Sequence, residues 1–202
     1  MQFDKINNGP FAGVEAPPTS IGIDTSVPQL YIAGNANQYV AVPAVAAAAV
    51  LIAKQTATSG TSISFASIPQ TFTHLRLVGT FAITSGANLA LQFNGDTTTA
   101  HYAYGLNLED NGTPTAAASN STTQILIGGA AGSVDITIQN YAASAGGTFL
   151  TGNFAAAIIG SLTEMGSGGG LWTGNGVTSI LLKDSGGTAS FASAEFSLYG
   201  LS

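Results

Sequence analysis

The chain has 202 residues, of which 45% are hydrophobic and only 7% are charged, and its formal net charge is −6. Because it holds only four basic residues, nucleic-acid binding is excluded, and so is electrostatic attachment to anionic lipid. The absence of cysteine excludes disulfides and thiolate metal sites, and no apolar run reaches the roughly 20 residues of a membrane-spanning helix. A surface with so little charge favours association, so we expect an assembly to cover much of it.

Residues 1–54 are predicted to form an extended N-terminal arm that docks on a partner. Five of the seven prolines lie between Pro10 and Pro43, and proline removes a backbone donor, so we expect neither a regular helix nor a central strand here. The arm is nevertheless richer in apolar residues than a disordered tail. The predicted anchoring residues are Phe3, Phe11, Ile21, Ile23, Val27, Leu30, Tyr31 and Ile32.

The alanine-rich stretch VPAVAAAAVLIAK, residues 42–54, allows two interpretations. It is either a short buried helix or strand that enters the following domain, or a seam between subunits where small side chains let backbones approach. The seam would be formed by Val45, Val50, Leu51 and Ile52.

Residues 55–202 are predicted to form an antiparallel β-sandwich of the jelly-roll type. Apolar residues alternate with polar ones in most of the segments, and turn-rich joints separate them, which indicates eight or so short strands and no sustained helix. The segments are SISFASI, HLRLVGTFAI, NLALQFN, SVDITIQN, VTSILLKD and FASAEFSLYG.

The stretch LQFNGDTTTAHYAY, residues 91–104, raises the question of a chemical site. Asn94-Gly95 is a strong turn signal, which favours a corner of the β-scaffold; the alternative is a site in which the turn joins Asp96 to His101. No nucleophile motif, metal-ligand spacing or phosphate-binding loop is present. We therefore predict no catalytic, cofactor-binding or metal-binding residue, and no enzymatic activity.

The glycine-rich run GSGGGLWTGNG, residues 166–176, is predicted to be a flexible surface loop that carries the single tryptophan, Trp172. Trp172 either stacks on a sugar or partner surface or is buried as an anchor. Together with Tyr102, Tyr104 and a predicted loop over residues 105–122, it forms a possible recognition surface for a host glycan.

The stretch IPQTFTHLRLVGTFAITSGANLALQFNGDTTTAHYAY and the C-terminal SFASAEFSLYGLS resemble a pattern of tailed-bacteriophage minor virion structural proteins. The resemblance covers roughly residues 61–202. Its matching positions are Ile68, Pro69, Leu75, Leu77, Gly79, Leu91, Phe93, Asn94, Gly95, Asp96, Tyr102, Tyr104, Leu198, Tyr199 and Gly200. It implies a jelly-roll-like domain, usually trimeric, displayed as a head fibre, capsid decoration or tail-associated protein.

The predicted function is that of a non-enzymatic virion structural protein, a homotrimer that is assembled in the host cytoplasm and bound to capsid or tail proteins of the same particle. Two alternatives stay open. One is a tail adhesin that binds a receptor or glycan. The other is a polysaccharide hydrolase, for which the available carboxylates are Glu109, Asp110, Asp135, Glu164 and Glu195.

Overall fold

The computed structural model describes most of the chain from residue 49 onward and three short segments before it. The described residues are 21–24, 29–33, 39–41, 49–84, 88–110, 113–143, 146–158 and 162–202. They belong to two compact units, one within residues 1–47 and one within residues 48–202.

The first unit contains a three-stranded antiparallel sheet in the order β1-β2-β3. Its strands are β1 (Ile21–Asp24), β2 (Gln29–Ala33) and β3 (Tyr39–Ala41). The expectation that this region holds no central strand is wrong, because β2 pairs with both neighbours. Strand β2 begins directly after Pro28, so that no proline removes a donor from its ladder.

Among the predicted anchoring residues, Ile21 and Ile23 lie in β1, while Leu30, Tyr31 and Ile32 lie in β2. The register places Ile21 opposite Ile32 and Ile23 opposite Leu30. Phe3, Phe11 and Val27 lie outside the described residues, as does Val45 of the predicted seam.

The second unit is an antiparallel β-sandwich, which confirms the predicted fold class. Its strands are β4 (Ala49–Ala57), β5 (Ser62–Phe65), β6 (His74–Ile83), β7 (Leu89–Phe93), β8 (Tyr102–Asp110), β9 (Thr113–Thr122), β10 (Ile125–Gly128), β11 (Ala131–Gln139), β12 (Thr148–Ile158), β13 (Leu162–Trp172), β14 (Ile180–Asp184) and β15 (Phe191–Leu201). One 3-10 turn, Thr99–His101, precedes β8. Within the described ranges, no helix has the length and apolar character needed to cross a membrane.

The strand order is that of a jelly roll. The large sheet has the order β4-β15-β6-β11-β12-β13-β8-β9, and the small sheet has the order β10-β7-β14-β5. Without the hairpins β8-β9 and β12-β13, eight strands remain, and we number them one to eight in chain order from β4 to β15. Strands one, eight, three and six then form one sheet, and strands two, seven, four and five form the other. Two Greek keys divided between two sheets in this way make a jelly roll.

The two additional hairpins widen the large sheet to eight strands. Strand β12 continues the ladder from β11, β13 follows β12, and β8 and β9 complete the edge. The sequence did not predict β8, β9, β10, β12 or β13. In β9, β12 and β13 the reason is that alanine, glycine, serine and threonine residues show little alternation between apolar and polar.

The core lies between the two sheets and follows the predicted alternation. In β6, Leu75, Leu77, Phe81 and Ile83 are buried, whereas Arg76 and Thr80 between them are exposed. In β11, Val134, Ile136 and Ile138 are buried in the same way. Burial of one face per strand fixes the register, because a slip by one residue would turn the apolar side chains outward.

The alanine-rich stretch continues into strand β4, an edge strand of the large sheet that pairs with β15. Since β4 begins at Ala49, residues 49–54 of the predicted arm run within the sheet of the second unit. The interpretation as a strand that enters the domain therefore fits these residues. Val50 and Leu51 of the predicted seam are exposed, while Ile52 packs partly against the core.

Candidate functional site

Among the described residues of the second unit, we consider two places that combine polar side chains in a defined geometry. The first is the turn between β7 and β8, around Asp96, which the sequence singled out. The second is the outer face of the large sheet, which the sequence did not indicate.

Asn94 and Gly95 form the turn that ends β7, with φ angles of 53° and 65°. Such positive φ values explain the Asn-Gly pair, because asparagine and glycine tolerate the left-handed region best. The Asn94 carboxamide ties the turn to the loop before β14: its oxygen accepts from the backbone N–H of Thr178 and of Ser179, and its nitrogen donates to the carbonyl of Gly176.

The Asp96 carboxylate lies at the centre of this turn and accepts three hydrogen bonds. Its Oδ2 accepts from Trp172 Nε1 at 2.8 Å and contacts His101 Nδ1 at 2.7 Å, and its Oδ1 accepts from the Thr98 backbone N–H at 2.9 Å. Since an ionised carboxylate can only accept, Nδ1 of His101 carries a proton. The turn therefore does join Asp96 to His101, as the chemical alternative required.

The hydrogen bonds around Asp96 keep it ionised. Burial alone would raise the pKa of this carboxyl, but the bonds from Trp172, Thr98 and His101 outweigh burial and hold the pKa well below its ordinary value. Next to it, burial raises the pKa of Tyr102 to about 12. The Tyr102 hydroxyl donates to the carbonyl of Asp96 at 3.0 Å and accepts from the backbone N–H of Phe93 at 3.0 Å.

We call Asp96, Thr98, His101, Tyr102 and Trp172 the Asp96 cluster, and their contacts hold the turn in one conformation. Both carboxylate oxygens are already used, and within the described part of the chain no serine or threonine hydroxyl bonds to the His101 ring. Elsewhere in that part, no three His, Asp or Glu side chains lie close enough together to hold a metal ion. The geometry fits the predicted corner of the β-scaffold.

Trp172 and Tyr102 do not present their rings to solvent, as a role in surface recognition would require. They are 2% and 1% exposed, and their rings pack together at the inner face of the sheet with a centroid distance of 6.4 Å. For Trp172 the structure therefore shows the buried alternative. Tyr104 is half-buried and lines an open depression, so it alone of the three borders an accessible surface.

The glycine run before Trp172 is a strand and not the predicted flexible loop. Residues 162–172 form β13, which pairs with β12 on one side and β8 on the other. A Cβ at Gly168 would lie 2.8 Å from a backbone oxygen of β8, and a Cβ at Gly170 would lie 2.9 Å from Ile125 Cδ1. The glycines are therefore required by close packing inside the sandwich.

Within the predicted loop over residues 105–122, residues 105–110 and 113–122 are likewise part of the sheet, in strands β8 and β9. Glu109 and Asp110, which we expected in a loop, are the last two residues of β8. Asp135 lies on β11 and forms an exposed ion pair with Arg76, whose Nε donates to Asp135 Oδ1 at 2.8 Å. The bonds from Arg76 lower the pKa of Asp135.

The outer face of the large sheet carries a trough that we call the outer-face trough. It has a volume of about 750 Å³, and a second depression of about 570 Å³ adjoins it at Gly105 and Gly169. Its principal lining residues are Arg76, Gly105, Asn107, Asp135, Thr137, Thr151, Asn153, Ser167 and Gly169. It lies where the additional hairpins extend the sheet, so sequence patterns within single strands could not reveal it.

Comparison with known proteins gives no match. No protein-family model matches the chain, and neither the curated proteins nor the solved structures yield a significant match. The resemblance to phage virion proteins therefore stays a prediction.

Proposed function

We propose that this chain is a non-enzymatic structural protein of a virus particle, a head fibre or capsid decoration protein that its N-terminal arm anchors to the shell. Jelly rolls build viral capsid proteins, but they also build lectins and cupins, so the fold is compatible with the proposal without deciding it. The proposal depends on the surface of the domain.

The observation that carries the proposal is the nearly uncharged surface of the second unit. From residue 48 to residue 202 the sequence holds three basic residues, Lys54, Arg76 and Lys183. The first two are engaged in ion pairs, Lys54 with Glu195 at 2.8 Å and Arg76 with Asp135. Such a surface offers little charge repulsion between neighbouring molecules, which suits a component of a dense array.

The edge of the large sheet supports association between copies of the chain, and the number three comes from the resemblance alone. Leu51 on β4 is 53% exposed, and Val50 beside it is also exposed. An edge strand with unpaired backbone groups and exposed apolar side chains is a site for association with another copy. We infer that this edge forms the subunit seam of a homotrimer.

Light scattering on the full chain tests the trimer. We expect the wild type to have the mass of three 20.2-kDa chains, and Leu51→Glu to lower that mass. Met165→Glu is the matched control. Met165 is equally exposed but lies on β13, which has a neighbouring strand on both sides and is therefore not an edge strand. A wild-type monomer at micromolar concentration, or an equal effect of both substitutions, would contradict the seam.

Labelling of particles tests the virion assignment. A gold-conjugated antibody against the recombinant chain is applied to purified virus particles whose genome encodes this sequence, and the particles are viewed by electron microscopy. We expect gold label on the capsid surface, lost when residues 1–40 are deleted from the particle-borne gene. Label confined to the tail would place the protein there instead, and particles that never carry the chain would refute the proposal.

A further inference from the structure

The outer-face trough contains a row of hydrogen-bonding side chains that runs across four strands. Asp135 lies opposite Asn153, Asn153 lies opposite Ser167, and Ser167 lies opposite Asn107. Because neighbouring strands are about 4.8 Å apart, the row is about 14 Å long. It is a continuous polar strip on an open surface.

A second row lies beside the first, displaced by two residues on each strand. It runs from Arg76 through Thr137 and Thr151 to Gly169 and Gly105. Its far end has no side chains, so a ligand there can approach the backbone closely. The two rows give the trough polar groups along its length and an open floor at one end.

The asparagine carboxamides of this trough have donors and acceptors that are available to a ligand. Asn107 and Asn153 are exposed, and neither forms a side-chain hydrogen bond with another described residue. Each carboxamide supplies two donors and an acceptor oxygen, and the Arg76–Asp135 pair adds a guanidinium with donors beyond those that Asp135 uses. Groups of this kind pair with neighbouring hydroxyls, each of which is both donor and acceptor.

The charge of the trough selects a neutral ligand. Arg76 is its one basic lining residue among those that the structure describes, and Asp135 neutralises it. An anionic ligand such as a nucleic acid would find no free cation there. Large apolar side chains, which the core of a protein interface requires, are almost absent from the lining; Leu201 is the exception.

We propose that the outer-face trough binds a neutral oligosaccharide. Asn107, Asn153 and Asp135 hydrogen-bond to its hydroxyl groups. Tyr199 is half-buried and lies on β15 opposite Arg76, just outside the trough, where it supports a sugar ring that extends beyond the lining. The site is separate from Trp172, and the inference holds whether or not the protein belongs to a virion.

The experiment uses the full chain and an array of neutral, sialylated and sulfated oligosaccharides. The best neutral binder is then titrated by calorimetry against wild type, Asn107→Ala and Asn153→Ala. Asn175→Ala is the matched control, since Asn175 is exposed on the loop before β14, outside the trough. Thermal unfolding verifies that each variant is folded.

We expect a neutral oligosaccharide to bind the wild type, Asn107→Ala and Asn153→Ala to weaken binding at least about tenfold, and Asn175→Ala to leave it unchanged. No binding at millimolar concentration, a preference for acidic glycans, or equal effects of all three substitutions would overturn the proposal. If the trough variants instead change the mass in light scattering and leave glycan binding intact, the face is a contact between copies, and the proposal is wrong.

Discussion

Replacement of Asp96 by alanine tests whether the Asp96 cluster holds the sandwich together. The side chain of Asp96 is only 16% exposed, and it satisfies the indole N–H of buried Trp172. Loss of the carboxylate would leave that N–H without a partner, at a cost of about 1–3 kcal/mol. The bonds to Thr98 and His101 add about 0.5–1.5 kcal/mol each.

The expected loss in the free energy of unfolding is therefore about 4 kcal/mol, equivalent to a fall in Tm of about 8–16 °C for a domain of this size. Urea unfolding followed by the fluorescence of Trp172, the single tryptophan, measures it directly. Asp135→Ala is the matched control: its carboxylate is 46% exposed and paired with Arg76, so we expect a loss of at most about 1 kcal/mol.

The same site predicts a pH dependence with a defined sign. The pKa of folded Asp96 lies below its unfolded value of about 3.9, so its contribution to stability is complete above that pH. As the pH falls below about 4 toward the folded pKa, the contribution is lost. The stability difference between wild type and Asp96→Asn should narrow over this range. Equal losses for Asp96→Ala and Asp135→Ala, or a difference independent of pH, would refute the reasoning.

Three further substitutions test the packing around these sites. Gly168→Ala should destabilise the domain by about 1–3 kcal/mol because its Cβ would meet backbone, whereas Gly105→Ala, which has open space, should change stability by less than about 1 kcal/mol in thermal unfolding. Tyr141→Phe should lower the free energy of unfolding in urea by about 1–2 kcal/mol, because the hydroxyl donates to Pro69 O and accepts from the Phe72 N–H. Tyr104→Phe should leave it nearly unchanged, and equal losses for the two variants would contradict this. Trp172→Ala should lower stability by about 3–5 kcal/mol, and a stable variant would refute its role as an anchor.

Local alternation was sufficient to predict much of the sandwich. Leu75, Leu77, Phe81 and Ile83 alternate with polar or small residues, and this period requires no knowledge of the neighbouring strands. The Asn94-Gly95 turn was equally readable, because its positive φ values are a property of the two residues themselves. For the same reason, the contact of Asp96 with His101, five residues later, lay within reach of sequence reasoning.

The features that the sequence misplaced depend on partners far along the chain. Trp172 is buried against the rings of Phe93 and Tyr102, and Asp96, 76 residues earlier, accepts its N–H. Gly168 and Gly170 look like loop residues until Leu106 and Ile125 are seen to fill the space above them. In the same way, Asn107, Ser167 and Asn153 form a row only because three separate strands align in register.

The sequence alone determined that the second unit is a β-sandwich with little surface charge, because alternation and composition are local properties that no packing can change. The tertiary structure alone decided which glycines lie in strands, which aromatic rings are buried and where polar side chains come together. Those outcomes depend on the pairing of distant strands, and a side chain's exposure is fixed by what the rest of the chain places against it.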